Sequence, residues 1–315
     1  MKTSTILATL LLMGLSLSMD VPRLHAGSVP AGPPVPVRIL VTVGALHGNQ
    51  PPALHPDDVR VYQNNQPRKV LSWIPAKDGH AGLDLYIVID DSNDTSFGTF
   101  ISEIRAFIQA QPETTRIAVG YMAHGSVQLV QDLTTAHAMA ARKVRLPLGE
   151  PGVVSSPYLA LSDLIGRLPQ DNDRHEIIMF SSGIDRFRGG GYGLLNPDAT
   201  VAIERAQRAG AIVHTIYVQG AGWLGRNFWA VSEGESNMTR ISADTGGASF
   251  ASTISNPVSL KPYLDRIEQA LTHQYWLEFE AEPGSSAGLQ AVRLETEVPN
   301  ADLINAPRVY VPLAK

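Results

Sequence analysis

Three short segments carry oxygen-bearing side chains that one site could gather. Residues Ile89-Asp90-Asp91-Ser92-Asn93-Asp94 end one apolar run, and Phe180-Ser181-Ser182-Gly183-Ile184-Asp185 end another. Ser155-Ser156 stand just ahead of an amphipathic segment that starts at Tyr158. Carboxylates and hydroxyls are hard donors that suit a hard divalent cation. They equally suit backbone amides at helix starts and turns, where Asp90 and Ser92 would be structural caps. In an open α/β sheet, ligands bind beyond the carboxyl ends of strands, where the strand order reverses. A doubly wound sheet would bring these three segments together.

The elements that must position them follow from periodicity. Leu83–Ile89 is a nearly continuous apolar run, the pattern of a buried parallel strand. Phe97, Phe100, Ile101, Ile104, Phe107 and Ile108 then recur at helical spacing. Strands are expected at Ile117–Met122, Glu176–Phe180, Ala211–Val218 and Ala248–Phe250, with Val127–Val130 as an antiparallel edge. Helices are expected at 136–145, Tyr158–Leu168, Ala199–Ala209, Met238–Asp244 and Leu260–Leu271. This alternation predicts an α/β, doubly wound, mostly parallel sheet with helices on both faces, over residues 80–272. Before it lie Val37–Val43, the alternating Val59–Tyr62 and Lys69–Ile74; after it lie Tyr275–Glu282, Gln290–Val298 and Val309–Val311. With no helices among them, 37–76 and 274–313 are expected to pair as a small all-β module.

Composition limits the function classes. The chain of 315 residues is 44% hydrophobic and 17% charged, with a net charge of −5. It carries no long charge run, so nucleic acid is not an expected partner. The absence of cysteine excludes disulfides, a thiol nucleophile and zinc–thiolate sites. Lys2, the apolar stretch Ile6–Leu17 and the small residue Ala26 read as a signal peptide over 1–26, with Ser18 as a second cleavage point. A Pro/Gly-rich linker follows over 27–36. The expected product is secreted or periplasmic, with no stable membrane span after cleavage.

At this point the sequence resembles the von Willebrand factor A (VWA) superfamily, and within it bacterial secreted proteins with a "VWFA-related" domain of acidobacterial type. HPDDVRVYQNNQPRKV, RISADTGGASF, LTHQYWLEFEA and the late RVYVP carry the resemblance beyond the sheet, over about residues 36–312. The family's metal-ion-dependent adhesion site uses Asp-x-Ser-x-Ser in one loop, Thr in a second and Asp in a third, around Mg²⁺ or another hard cation such as Mn²⁺ or Ca²⁺. The resemblance implies Asp90 and Ser92 as matching ligands, with Asp94 where a second Ser is expected. Ser156 or Ser155 stands for the Thr. Ser182 replaces the third-loop Asp, and Asp185 lies three residues on. The site is therefore partly degenerate.

Three insertions follow strand ends on the same face: 91–98, 183–196 and 219–237. They carry Arg186, Phe187, Arg188, Tyr192, Trp223, Arg226, Phe228 and Trp229, residue types that anchor protein interfaces. They equally suit packing onto the sheet edge. Gly284-Ser285-Ser286-Ala287-Gly288 spells G-x-S-x-G but lies in a turn region between two alternating strand segments, so it is no nucleophile elbow. No G-x-G-x-x-G follows the first strand, and no Walker-type loop or H-E-x-x-H is present. His124, His175 and His214 read as solvated or core residues, and Asp84 and Asp265 have no evident partner. The expected function is a non-enzymatic, exported protein-binding or adhesion module. The alternatives are a metal-dependent hydrolase built on Asp90, Asp94 and Asp185, and a metal-free structural envelope protein.

Overall fold

The structure, a computed structural model, describes residues 32–48, 50–149, 156–187, 195–251 and 256–314. The signal-peptide reading, most of the linker and the candidates Ser155, Arg188 and Tyr192 lie outside these residues.

The chain begins with β1 (Val35–Ala45), β2 (Arg60–Gln63), β3 (Gln66–Arg68) and β4 (Val70–Pro75). The central part runs through β5 (Leu83–Asp90), α1 (Ile101–Ala110), β6 (Thr115–Ala123), β7 (Ser126–Thr134), α2 (His137–Arg142) and α3 (Pro157–Ile165). It continues with β8 (Arg174–Ser181), α4 (Pro197–Ala209), β9 (Ile212–Tyr217), α5 (Phe228–Thr245), β10 (Ser249–Phe250) and α6 (Lys261–Thr272). Four strands close the chain: β11 (Gln274–Ala281), β12 (Gly288–Glu295), β13 (Ala301–Ile304) and β14 (Arg308–Val311).

The central sheet has the order β10-β9-β8-β5-β6-β7. Its pairings are parallel except for β7, which returns antiparallel to β6 through the His124-Gly125 turn. Every residue of β5 and β8 is buried, as strands covered on both faces must be. Alternate residues of β5 serve opposite faces. Leu85, Ile87 and Ile89 pack with Phe97, Phe100 and Ile104 and with Leu264 and Ile267 of α6. Tyr86 and Val88 pack with Leu161 and Leu164 of α3 and Ile203 of α4. The winding reverses between β5 and β8, the point beyond whose carboxyl ends open α/β sheets place their ligands.

The two chain ends build two antiparallel sheets, β13-β1-β11-β4 and β14-β12-β2-β3. They share an apolar core in which Val41, Trp73, Leu277 and Phe279 meet Val61, Val292 and Val311. β11 pairs with both β1 and β4, so a strand from the last part of the chain joins two from the first.

Three elements differ from expectation. Ahead of the expected Lys69–Ile74 strand, Gln66–Arg68 forms a strand of its own against Val61–Gln63. The helix expected at Met238–Asp244 extends back to Phe228, because the Asn227 side chain accepts the Ala230 amide and caps it there. The 219–237 insertion is correspondingly shorter. Ala301–Ile304, not recognised in sequence, forms a strand by pairing with Thr42–Ala45 of β1.

Candidate functional site

Asp90 ends β5 and is completely buried. One carboxylate oxygen accepts the Ser92 amide at 2.9 Å and the Ser92 hydroxyl at 2.7 Å. The other accepts the Ser181 hydroxyl at 2.7 Å. Ser181 in turn accepts the Gly183 amide at 2.9 Å. Strand register explains the encounter: Ile89 lies opposite Phe180, so the next residues on each strand, Asp90 and Ser181, face each other across the reversal point. Burial pushes the Asp90 carboxyl above its ordinary range; the serine hydrogen bonds and the positive charge of Arg186 oppose this. The same burial lowers the Arg186 guanidinium, with Asp90 opposing. Arg186 donates to the Ala221 carbonyl, and the Ala221 amide donates to the Ser92 carbonyl at 2.9 Å. A half-buried guanidinium is therefore held in the field of Asp90 by the loop that follows β9.

The other candidates form separate groups. Ser156 caps α3, and its hydroxyl donates to Asp185 at 3.1 Å. Asp185 also accepts Asn196 Nδ2 at 2.9 Å and the Phe187 amide at 3.0 Å. Tyr158 lies within reach of both groups: burial raises its hydroxyl well above the usual phenol range, and Asp185 and Asp90 add to the effect. Asp94 does not join them. Its carboxylate accepts the Ser96 amide at 2.9 Å as the cap of a short 3-10 helix, and its bonds to Ser96 lower its carboxyl. Ser182 turns toward the Ile184 amide at 3.4 Å. Asp91, adjacent to the site, is committed elsewhere through a bidentate pair with Arg145 at 2.7 and 2.9 Å.

Sequence reasoning did not single out Ser181, whose hydroxyl reaches Asp90. It also read Arg186 only as an interface residue. The parallel β5/β8 register is the missing information in the first case.

The third loop is fixed by close backbone approach. Gly183 has φ +67°, and a Cβ there would lie 2.5 Å from the Gly234 carbonyl oxygen. A Cβ on Gly234 would lie 2.3 Å from the Ser182 carbonyl oxygen. α5 can press on this loop only because both positions lack side chains.

A parallel sheet with one antiparallel edge, whose Asp-x-Ser loop sits at the reversal point between β5 and β8, is now in view. The fold is von Willebrand factor A-like. Solved structures similar to this chain include an aerotolerance-related membrane protein from Bacteroides fragilis, at 11% identity, TM-score 0.44, over 60% of this chain and 98% of that one. A conserved hypothetical protein BatB from Bacteroides thetaiotaomicron aligns at 12% identity and TM-score 0.42, over 60% and 98%. The SpRpn10 VWA domain aligns at 12% and 0.36, over 59% and 94%. No family model matches the chain, and no curated protein matches it.

The donor set does not fit the adhesion-site cation of VWA domains. That site needs several oxygens free to face one ion. Here Asp94 is turned to Ser96, Ser182 replaces the third-loop carboxylate and turns to Ile184, and Asp90 takes two hydroxyls and the charge of Arg186. The three carboxylates of the hydrolase alternative, Asp90, Asp94 and Asp185, are each engaged with different partners.

Around the site the surface is aromatic. Trp223 and Trp229 are 72% and 75% exposed, and Phe187 and Phe228 are also exposed. Arg226 is exposed beside them, near enough to Asp94 to favour its ionised form. The loops are braced rather than loose: the Asp94 amide donates to the Gln219 carbonyl at 2.8 Å, and Asn93 forms a bridge with Gly220. Among the described residues no helix is long and apolar enough to cross a membrane.

Proposed function

We propose that this chain is an exported, non-enzymatic VWA-like module that binds a protein partner through the loops at the carboxyl ends of β5, β8 and β9. The observation that carries the reading is the exposure of Trp223 and Phe187 on the loops, and of Phe228 and Trp229 at the start of α5, beside the segment braced to the Asp90 loop. Large aromatics left in water are costly, and rigid aromatics are the usual anchors of interfaces. In this reading the Asp90 loop is held by serine hydroxyls and the charge of Arg186 instead of by a cation, so binding does not require Mg²⁺.

The test is affinity capture from the native envelope fraction with the wild-type chain and a Trp223→Ala/Trp229→Ala variant. Both residues are surface-exposed, so the variant should keep the wild-type melting temperature. Loss of the captured protein from the variant is the expected result; equal capture by both would sink the reading. Calorimetry with Mg²⁺ forms a second arm. Heat at millimolar Mg²⁺ that disappears in Asp90→Ala would overturn the cation-independent part.

A further inference from the structure

The opposite end of the sheet carries a second cluster that the reading above does not use. Asp84 and His175 are the second residues of β5 and β8, and Asp171 and Asp173 lie on the loop leading into β8. One oxygen from each of Asp84 and Asp171 and a ring nitrogen of His175 lie within 4.8 Å of one another. Asp84 is completely buried, and His175 is 6% exposed.

Arg116 satisfies part of this charge. It grips Asp84 in a bidentate pair at 2.6 and 2.9 Å and also reaches Asp171 at 3.2 Å and Asp173 at 3.0 Å. Three carboxylates gather around this one guanidinium, and the nearby Arg174, which feels the charge of Asp173, gives its own hydrogen bonds to the Gly82, Ala81 and Leu271 carbonyls and to Gln274. The other arginines that line the adjoining cleft are engaged with rings: Arg38 over Trp276 at 3.9 Å and Arg208 over Tyr310 at 5.7 Å.

His175 supplies the second, independent sign. Neither of its ring nitrogens makes a hydrogen bond, although both are buried. Nδ1 stands 3.5 Å from Asp84 and Nε2 stands 3.3 Å from Asp171. In a neutral imidazole one nitrogen is an acceptor, and here it would face only other acceptors. A proton would add one positive charge, whereas a divalent ion adds two and uses the nitrogen lone pair directly.

The geometry points to a divalent transition-metal site, of zinc type, formed by Asp84, Asp171 and His175. Imidazole selects zinc-like ions over Mg²⁺ or Ca²⁺. Two carboxylate oxygens and one ring nitrogen make a three-ligand set with a fourth position left open. Asp171 and His175 line a cleft of about 370 Å³ together with Arg38 and Trp276, which gives a route to the site. Tetrahedral ligands around zinc sit about 3.3 Å apart, so the carboxylate of Asp171, on a partly exposed loop, must swing inward. Arg116 then becomes an outer partner that orients the Asp84 carboxylate. The site lies at the amino ends of the strands, remote from the Asp90 loop at their carboxyl ends.

The experiment is calorimetric titration of the metal-stripped full chain with zinc chloride alone, together with cobalt(II) absorption spectroscopy. One ion per chain should bind, and cobalt should give the intense visible bands of a tetrahedral site. Asp171→Asn and His175→Gln should each weaken zinc by about tenfold or more, while Asp90→Asn should leave it unchanged. Asp171→Asn changes only a partly exposed loop side chain, so it carries the test if His175→Gln fails to fold. Absence of heat at millimolar zinc overturns the proposal. So does zinc binding that survives Asp171→Asn or is lost in Asp90→Asn.

Discussion

Asp90 is a buried carboxylate whose hydrogen bonds come from two serines, with Arg186 as the nearby positive charge. Because burial raises its carboxyl, the folded chain binds the Asp90 proton more tightly than the unfolded chain does. Its contribution to stability is complete below the ordinary Asp range and is lost as the pH rises through the raised value. Asp90→Asn removes that loss and keeps a polar group beside Ser92 and Ser181. Denaturant titrations from acid to neutral pH should show wild type losing ground to Asp90→Asn as the pH rises. Asp90→Ala is different, since it strands two buried hydroxyls and an amide, and should cost about 2 kcal/mol at neutral pH. At this scale the sequence revealed the Asp90–Ser92 pair, which is local in the chain. It did not reveal Ser181 or the Arg116 partner of Asp84, because both are met across strands. Asp84 lies opposite Arg116 and Ile89 opposite Phe180 only once the parallel register is set. Asp265, by contrast, pairs with Lys261 one helical turn away at 2.7 Å, a spacing open to reading in advance.

α5 shows how an element can be half legible. Its second half, Met238–Asp244, is legible ahead of the Gly246-Gly247 breaker, and its Met238 and Ile241 are buried. Its first half carries Trp229 on the solvent side and Gly234 in the middle, so it reads as a loop. The physical reason for Gly234 lies outside the helix, in the backbone of Ser182 and Gly183. Gly234→Ala improves intrinsic helix propensity by about 1 kcal/mol, yet it drives a methyl group into the Ser182 carbonyl. The contact should win, with a net loss of about 1–3 kcal/mol from overpacking measured by thermal or denaturant unfolding. Because α5 begins at the exposed Phe228 and Trp229, the same substitution should also weaken partner capture. A variant that is both more stable and fully competent in capture would show that the loop gives way freely.

Across the whole molecule, the α/β class was legible because β5 and β8 are continuous apolar runs separated by amphipathic helices. The sheets built from the chain ends depend on partners that are far apart: the His47 amide bonds the side chain of Asn300, 253 residues later. β4 is held in its sheet through β11, and β1 lies between β11 and β13. Cutting the chain after Thr272 removes these partners and bares Val41 and Trp73. The truncated chain should aggregate, or lose hydrogen-exchange protection over residues 35–75 while the central sheet keeps its protection. This topology also has a temporal side. In synthesis from the amino end, β1 and β4 emerge early and wait, edges unpaired, until β11 arrives near the finish. Loop-closure entropy makes such distant pairings slow, and unpaired apolar strands are sticky in the interval. For this chain the vulnerable period is therefore the time before its last strands arrive, and holdase chaperones should matter most to residues 35–75.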